Sequence, residues 1–293
     1  MILIASSFWG MAQERQDLDQ IVDPAGPHTP VILMPSIATD RPDFTESAQI
    51  TPIGWFQCEG GYQYSHAVES LPGGSITDRH QFEEVLRFGI NKRFEVRAVI
   101  NANTERIDIP STWLDPMRRT GVSPVTFGFK YNLFEESDRL PQITWLSSIS
   151  TSWISSGDYA NVYPELIFHE QRLMLEKELT SKLGIASNLG IAGGMSEFNN
   201  FLNGGMFSLS LGYDLGNNLG VYAEYFANWE VQGIQLFGTP YFDGGFTKLL
   251  SKDLQLDVYA GVNLGSYLGS KLNTSGFFFG TGVSYRLPLA AYL

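Results

Sequence analysis

Cys58 is the single cysteine in 293 residues, so neither an intramolecular disulfide framework nor a thiolate metal cluster can be built. Cations are also scarce: 19 Lys and Arg stand against 31 Asp and Glu, for a net charge of −12 and a pI near 4.7. With no basic stripe to neutralise phosphates, nucleic acid is excluded as a partner. No run of about 18 apolar residues occurs, so no transmembrane helix is readable. His28, His66, His80 and His169 are scattered without metal-ligand spacing. There is no nucleophile elbow, no phosphate-binding glycine loop and no HExxH. Glu83–Glu84 and Glu135–Glu136 are adjacent pairs, whose members would point to opposite faces of a strand. The sequence therefore predicts no enzyme, no cofactor and no metal.

What the chain does have is glycine (30 residues) and aromatics (13%), with charged residues held to 17%. Its mean hydropathy is −0.07, a value that a sheet with one greasy and one polar face also produces. The dominant pattern from about residue 54 is alternation with period two. In "GWFQCEGGYQYS", Phe56, Cys58, Gly60, Tyr62 and Tyr64 oppose Gln57, Glu59, Gly61 and Gln63. In "LQLDVYAGVNLG", Leu254, Leu256, Val258, Ala260, Val262 and Leu264 oppose Gln255, Asp257, Gly261 and Asn263. Twelve such segments fall at roughly 54–65, 79–90, 93–102, 121–133, 141–153, 163–176, 183–193, 205–214, 219–228, 240–250, 254–266 and 276–288. Each is about the 9–11 residues, or a little more, that a tilted strand needs to cross a bilayer.

The connections separate the architectures. Those after odd-numbered segments are long, and those after even-numbered ones are short, such as "INK" at 90–92 and "SKD" at 251–253. A soluble β-sandwich has no reason to alternate in this way, whereas an outer-membrane barrel does. The predicted fold is all-β: a transmembrane, antiparallel up-and-down β-barrel of about 12 strands, with short periplasmic turns and longer external loops. Most segments keep one face free of charge, as lipid requires when an outward Arg or Lys costs about 2–4 kcal/mol at mid-membrane. Glu84 and Lys248 are exceptions on that face. The segment at 163–176, "PELIFHEQRLMLEK", has no clean face, which suggests a bulge.

Three regions follow. Residues 1–13, opening "MILIASSFWGMA", read as a truncated signal peptide. Residues 14–53 form an irregular, proline-bearing lead, and 54–293 form the barrel. Irregular backbone at membrane depth is tolerated only where protein buries it or water surrounds it. Residues 36–50, which open with the charged stretch "SIATDRPDFTES" (36–47), are thus expected to enter or close the periplasmic mouth as a lumen plug, with a solvated tether as the alternative. Arg41 would meet Glu59 or Asp257, and Asp40 or Asp43 would meet Arg93 or Arg97. The inward set comprises Glu59, Gln63, Arg87, Arg93, Glu95, Arg97, Lys130, Glu224, Asp257 and Arg286. Their mixed signs suit either an ion-pair network filling the lumen or a track lining a pore. Trp55, Tyr62, Tyr64, Trp145, Trp153 and Tyr285 lie near strand ends, where interfacial aromatic girdles form.

Three stretches carry a family resemblance: "TDRPDFTES" (39–47) followed by "TPIGWFQCEGGYQYS" (51–65), "FDGGFTKLLSKDLQLDVYAGVNLG" (242–265), and "FFFGTGVSYRL" (277–287). In these the chain resembles the bacterial outer-membrane transporters named for the MetA pathway of phenol degradation. The resemblance implies a barrel in the outer membrane of a Gram-negative-type bacterium. It would pass small, hydrophobic or aromatic solutes without covalent chemistry, with membrane lipids, a small-molecule solute and the barrel-assembly machinery as partners. That label rests on pathway association, so phenol itself is not implied. Many outer-membrane proteins end in an aromatic that the assembly machinery reads, whereas here Tyr292 is penultimate in "AAYL". Two other readings remain: a closed structural or adhesion barrel, and an outer-membrane lipid hydrolase using His80. His80 and Glu84, four residues apart on one strand face, would stand about 13 Å apart, too far to bond.

Overall fold

Among the described residues, period-two alternation is realised as thirteen strands: β1 (Trp55–Glu69), β2 (Ile76–Asn91), β3 (Phe94–Asp108), β4 (Met117–Val122), β5 (Val125–Phe134), β6 (Gln142–Thr151), β7 (Ile167–Glu178), β8 (Leu183–Met195), β9 (Leu202–Gly216), β10 (Leu219–Gln232), β11 (Gln235–Ser251), β12 (Leu254–Asn263) and β13 (Thr274–Pro288). The computed structural model describes residues 35–42, 44–69, 74–110, 115–162, 167–195, 202–232, 235–265 and 274–289. The signal-peptide reading at 1–13, residues 14–34 of the lead, and Asp43 all lie outside the described residues.

Each strand pairs antiparallel with its neighbours, and β1 closes on β13 along its whole length, from Trp55 opposite Pro288 to Glu69 opposite Thr274. The thirteenth strand comes from a break. β3 pairs with β5 up to Val99 opposite Thr126, then with β4 from Ala102 opposite Val122. Between β5 and β4 sits Pro124, which has no N–H to give the ladder. The fold is therefore a closed twelve-strand antiparallel barrel with one extra strand. Closure removes the free edges of the twelve-strand wall; β4 pairs with β3 alone, and Ser156 and Asp158 donate their N–H groups to its other side.

Some connections that read as loops are strand. β1 runs on to Glu69 with β2 starting at Ile76, and β10 reaches Gln232 with β11 starting at Gln235. These hairpins project beyond the length a bilayer needs. The tight turns, 92–93, 179–182, 217–218 and 252–253, share one end with the start of β1 and the end of β13. In the turn at 217–218, Asn217 and Asn218 both take positive φ, 53° and 63°, which asparagine tolerates better than most residues.

Burial is inverted relative to a water-soluble protein. Facing outward are Phe82 (61% exposed), Ile191 (66%), Leu189 (53%), Phe246 (50%) and Val258 (51%). Facing inward, Glu59, Lys130, Thr144, Asn188, Ser208 and Gln255 are all fully buried. A surface of this kind is stable only against hydrocarbon. The barrel is transmembrane.

The sequence exceptions each find a local solution. Glu84 faces outward and accepts the thiol proton of Cys58 at 2.5 Å. Lys248, at the turn end, donates to the Asn217 carbonyl at 2.6 Å. β7 contains no bulge: its pairing to β6 and β8 is continuous. Its inward Arg172, Met174 and Glu176 alternate with outward Leu173 and Gln171. Gln171 is satisfied across the strand pair, accepting from Trp145 Nε1 at 2.9 Å and donating to Ser147 Oγ at 2.8 Å. Trp55 does not join an outer girdle; its ring lies against the inward Arg286, 4.9 Å from the guanidinium carbon.

Leu189, six residues above the start of β8, sits near mid-height on the outward face. Leu189→Arg should destabilise the barrel in lipid vesicles by about 2–4 kcal/mol, read from denaturant titration. A change within about 0.5 kcal/mol, as for an ordinary solvated surface residue, would mean that this face meets water.

Candidate functional site

Residues 35–52 form no strand of the sheet, yet most of those described are buried. Their contacts reach β1, β2, β3, β5, β6, β7, β9, β10, β12 and β13, mostly through inward side chains, so the segment runs inside the barrel. A backbone in that position has no partner strand, and its polar groups need other partners. Wall carboxylates accept the N–H groups. Glu59 takes those of Asp40 (2.7 Å) and Arg41 (3.1 Å), and Glu224 takes Phe44 (2.8 Å). Glu176 takes Ala48 (3.1 Å) and Glu95 takes Thr51 (2.6 Å).

Cations and amides serve the carbonyls. Arg87 donates to Ala38 (3.2 Å) and Gln49 (2.9 Å), and Lys130 to Ser47 (2.9 Å). Gln57 donates to Ala38 (2.6 Å), Gln142 to Ala48 (2.7 Å), and Thr144 to Ala48 (2.5 Å).

The side chains of the segment form a charge knot with the wall. Asp40 meets Lys130 (2.6 Å), Arg97 (3.2 Å) and Arg87 (3.3 Å). Arg87 is held in turn by Glu95 (2.9 Å) and Glu59 (3.0 Å). Glu46 pairs with Arg97 and with Arg172, the latter at 3.3 Å. Burial alone would raise the Asp40 pKa, but Arg87, Lys130 and Arg97 outweigh it and hold this carboxyl well below the usual carboxylate range. Burial likewise pushes Glu46 up, and Arg97 and Arg172 bring it below its ordinary value.

Arg41 takes a different direction. Its guanidinium reaches Glu83 on β2 (3.3 Å) and Asp257 on β12 (3.7 Å). It can lie this close because Gly61 and Gly282, opposite one another on β1 and β13, carry no side chain. A Cβ at Gly61 would sit 2.0 Å from Arg41 Nη2, and one at Gly282 would sit 2.6 Å from Arg41 Nε.

On the loop side of the segment lies a cavity of about 540 Å³, lined by Asp40, Arg41, Pro42 and Phe44 of the segment itself and by the barrel wall. One wall is aromatic. Phe44 stacks on Phe226 with centroids 4.5 Å apart, and Phe226 stacks on Tyr241 at 4.7 Å. Phe278 and Tyr259 extend the ring surface. The other wall, from β1 and β2, is polar, with Gln63, Thr77, Arg79, Gln81 and Glu83. This arrangement holds a flat solute by ring contact and hydrogen bonds. No group of three or more His, Cys, Asp or Glu among the described residues could hold a metal ion.

The residues singled out in the sequence fall at several places. Asp40, Glu59, Arg87, Glu95, Arg97 and Lys130 meet in one knot, and Arg41 joins Asp257 to it. Glu59, however, takes the Arg41 backbone rather than its guanidinium. Glu224 receives the Phe44 N–H and the Thr45 hydroxyl. Gln63 accepts from the Tyr259 hydroxyl at 2.9 Å within the cavity wall. Arg286 sits at the turn-side mouth, bonding Asp253 and the Pro35 carbonyl, both at 2.7 Å. Arg93 is a correction: it is exposed in the β2–β3 turn, because residues 92–93 are the turn itself and β3 begins at Phe94.

Glu83 was noted only as one of an adjacent pair, and Glu46, Gln57, Arg172 and Glu176 were not placed in the lumen or plug set. Glu83 shares strand parity with Arg87 and could have been found that way. Arg172 and Glu176 were hidden by the mixed pattern of β7. His80 bonds the Tyr62 hydroxyl at 2.7 Å on the outer wall.

No protein-family model matches the chain, and no curated protein matches its sequence. Solved structures do match in fold. An outer membrane channel from Pseudomonas putida F1 is 11% identical with a TM-score of 0.62, over 84% of this chain and 99% of that one. The beta domain of the Bordetella autotransporter BrkA is 12% identical with a TM-score of 0.54, over 78% of this chain and 99% of that one. The translocator domain of the autotransporter NalP from Neisseria meningitidis is 9% identical with a TM-score of 0.53, over 97% and 99%. At such identities the likeness is one of fold: this chain shares the architecture of outer-membrane barrels.

Proposed function

We propose that the chain is a passive outer-membrane channel for small hydrophobic or aromatic solutes, in which residues 35–52 plug the turn-side part of the lumen and form the floor of a solute cavity. The observation that carries this reading is the cavity of about 540 Å³ between the segment and the stacked rings of Phe226 and Tyr241. Its volume suits a small organic molecule. Its wall pairs ring faces, which favour flat partners, with hydrogen-bonding side chains. The resemblance to the transporters named for the MetA pathway supports the same solute class, and the fold shared with a Pseudomonas outer membrane channel supports the outer membrane as the location. The closed structural or adhesion barrel remains the second reading, favoured by the density of ion pairs holding the segment. The hydrolase reading lacks support, because the hydrogen bond that His80 makes goes to a tyrosine.

Single-channel recording in planar bilayers tests the channel and its plug together. The full chain should show small, steady conductance, and deletion of residues 35–51 should raise it several-fold. Heat-modifiable gel mobility serves as the check that the shortened barrel closes. Silence from both proteins would favour the closed barrel, and equal conductance would remove the plug.

Solute class is read by liposome swelling. A neutral aromatic alcohol should permeate faster than a sugar of equal size, and Phe226→Ala should abolish that advantage while leaving the sugar rate within about twofold. Permeation graded by size alone in both proteins would remove the aromatic preference.

Asp40 supplies a pH test. Its lowered pKa means that the charged form is favoured in the folded state. Its contribution is full above the ordinary carboxylate value, about 3.9, and is lost only as pH falls through the lowered folded value. Asp40 should therefore stay charged from pH 7 to pH 5 and contribute no change in conductance over that range. Asp40→Asn leaves buried cations uncompensated, at a cost of about 3–5 kcal/mol, and should open the channel at neutral pH. An Asp40→Asn channel whose conductance at neutral pH equals that of the wild type would contradict the role of Asp40 in holding the plug.

A further inference from the structure

The strand register places Arg106 of β3 directly opposite Arg118 of β4, and one row below it Thr104 opposite Thr120. All four side chains are exposed. They share the outward face, since the alternate residues Asn103 and Glu105 are the buried ones. Two like charges directly opposite on a sheet repel; Asp78 of β2, the carboxylate across from Arg106, attracts that arginine and offsets the repulsion only in part. The Asp78 Oδ1 is already taken from the other side, by the Tyr64 hydroxyl at 2.7 Å and by His66 Nδ1 at 2.8 Å. No salt bridge joins either arginine to a described residue.

Height matters as much as charge. Arg106 is twelve residues along β3 from its start at Phe94. At the usual rise and tilt this puts it about 30 Å above the turn end, just past an apolar band about 25 Å tall. Lipid phosphates sit at that level. Directly below the threonines the outer wall carries a mainly apolar groove of about 560 Å³, lined by Ala102, Ile100, Phe82, Tyr62 and Val283, with the Glu84 carboxylate, which accepts from Cys58, opposite Ile100. Two guanidiniums and two hydroxyls thus stand above a greasy furrow on the same face.

We infer that this face of β1–β4 is a binding site for a phosphorylated lipid of the external leaflet. Arg106 and Arg118 share the phosphate, Thr104, whose Oγ1 receives the Thr120 hydroxyl at 3.4 Å, donates to its oxygens, and an acyl chain lies along Ala102, Ile100 and Phe82. The inference rests on the membrane reading of the barrel but not on the solute it passes. A phosphate oxygen between two arginines turns their repulsion into two charge-assisted hydrogen bonds.

Native mass spectrometry of the full chain, released from nanodiscs and offered bis-phosphorylated lipid A, lipid A stripped of phosphate, or inorganic phosphate, reads the site. The wild type should retain phosphorylated lipid A at least about tenfold better than the double variant Arg106→Gln, Arg118→Gln. The stripped lipid should bind both proteins equally. Ala102→Trp, which fills the groove and leaves the arginines in place, should weaken lipid retention as well. Equal retention of phosphorylated lipid by wild type and double variant overturns the site. Displacement of the lipid by millimolar phosphate, together with no effect of Ala102→Trp, overturns the lipid in favour of a free anion. Insertion into nanodiscs with heat-modifiable mobility is scored separately. A chain that fails to insert sinks the membrane reading, whereas an inserted barrel without phosphate preference sinks only this site.

Discussion

A strandless backbone inside a closed barrel is governed by one requirement: every buried N–H and C=O must be matched by something other than a ladder. Here the match comes from the wall. Carboxylates of Glu59, Glu224, Glu176 and Glu95 receive N–H groups at Asp40, Arg41, Phe44, Ala48 and Thr51. Arg87, Lys130, Gln57, Gln142 and Thr144 supply the carbonyls. The mixed signs of the lumen follow from this division. Acids are needed where the segment presents donors and bases where it presents acceptors.

The same charges then compensate one another. A buried guanidinium such as Arg87 would be costly alone, and it is tolerable because Asp40, Glu59 and Glu95 all lie within 3.3 Å. Such a knot adds little net stability compared with a greasy core of equal volume. What it fixes is position. Asp40 can sit in only one place relative to Lys130, Arg97 and Arg87, and that places Phe44 against Phe226 and Arg41 against the Gly61–Gly282 niche. The cavity floor is thereby set by electrostatics some distance from the cavity itself.

Alternation was enough to locate all twelve barrel strands in the sequence, because one face of each had to be acceptable to lipid. Strand ends were less legible: β1, β2, β10 and β11 run past the apolar band, where no solvent contrast marks them. Pro124 breaks a strand without disturbing the alternation around it, so β4 could not be told apart from β5. Within the site, parity gives the side a residue takes but not its partner. Arg87 belongs with the inward set by spacing alone, yet nothing in the sequence says that Glu59 would choose the Arg41 backbone over its guanidinium. Glu176 was missed because β7 carries a polar outward residue, Gln171, whose satisfaction by Trp145 and Ser147 depends on a neighbouring strand. Arg93 was misplaced by a pattern that runs unbroken through a turn.

The barrel's seam lies between its first and last strands, and the inner segment touches both sides of it. Glu59 on β1 holds the Asp40 and Arg41 amides, while Gln255 on β12 donates to Thr39 at 2.8 Å and Arg286 on β13 reaches Pro35. An open, unzipped sheet cannot offer these groups at once. The segment therefore finds its complete set of partners only in the sealed cylinder, and its full docking is a structural signature of that sealing.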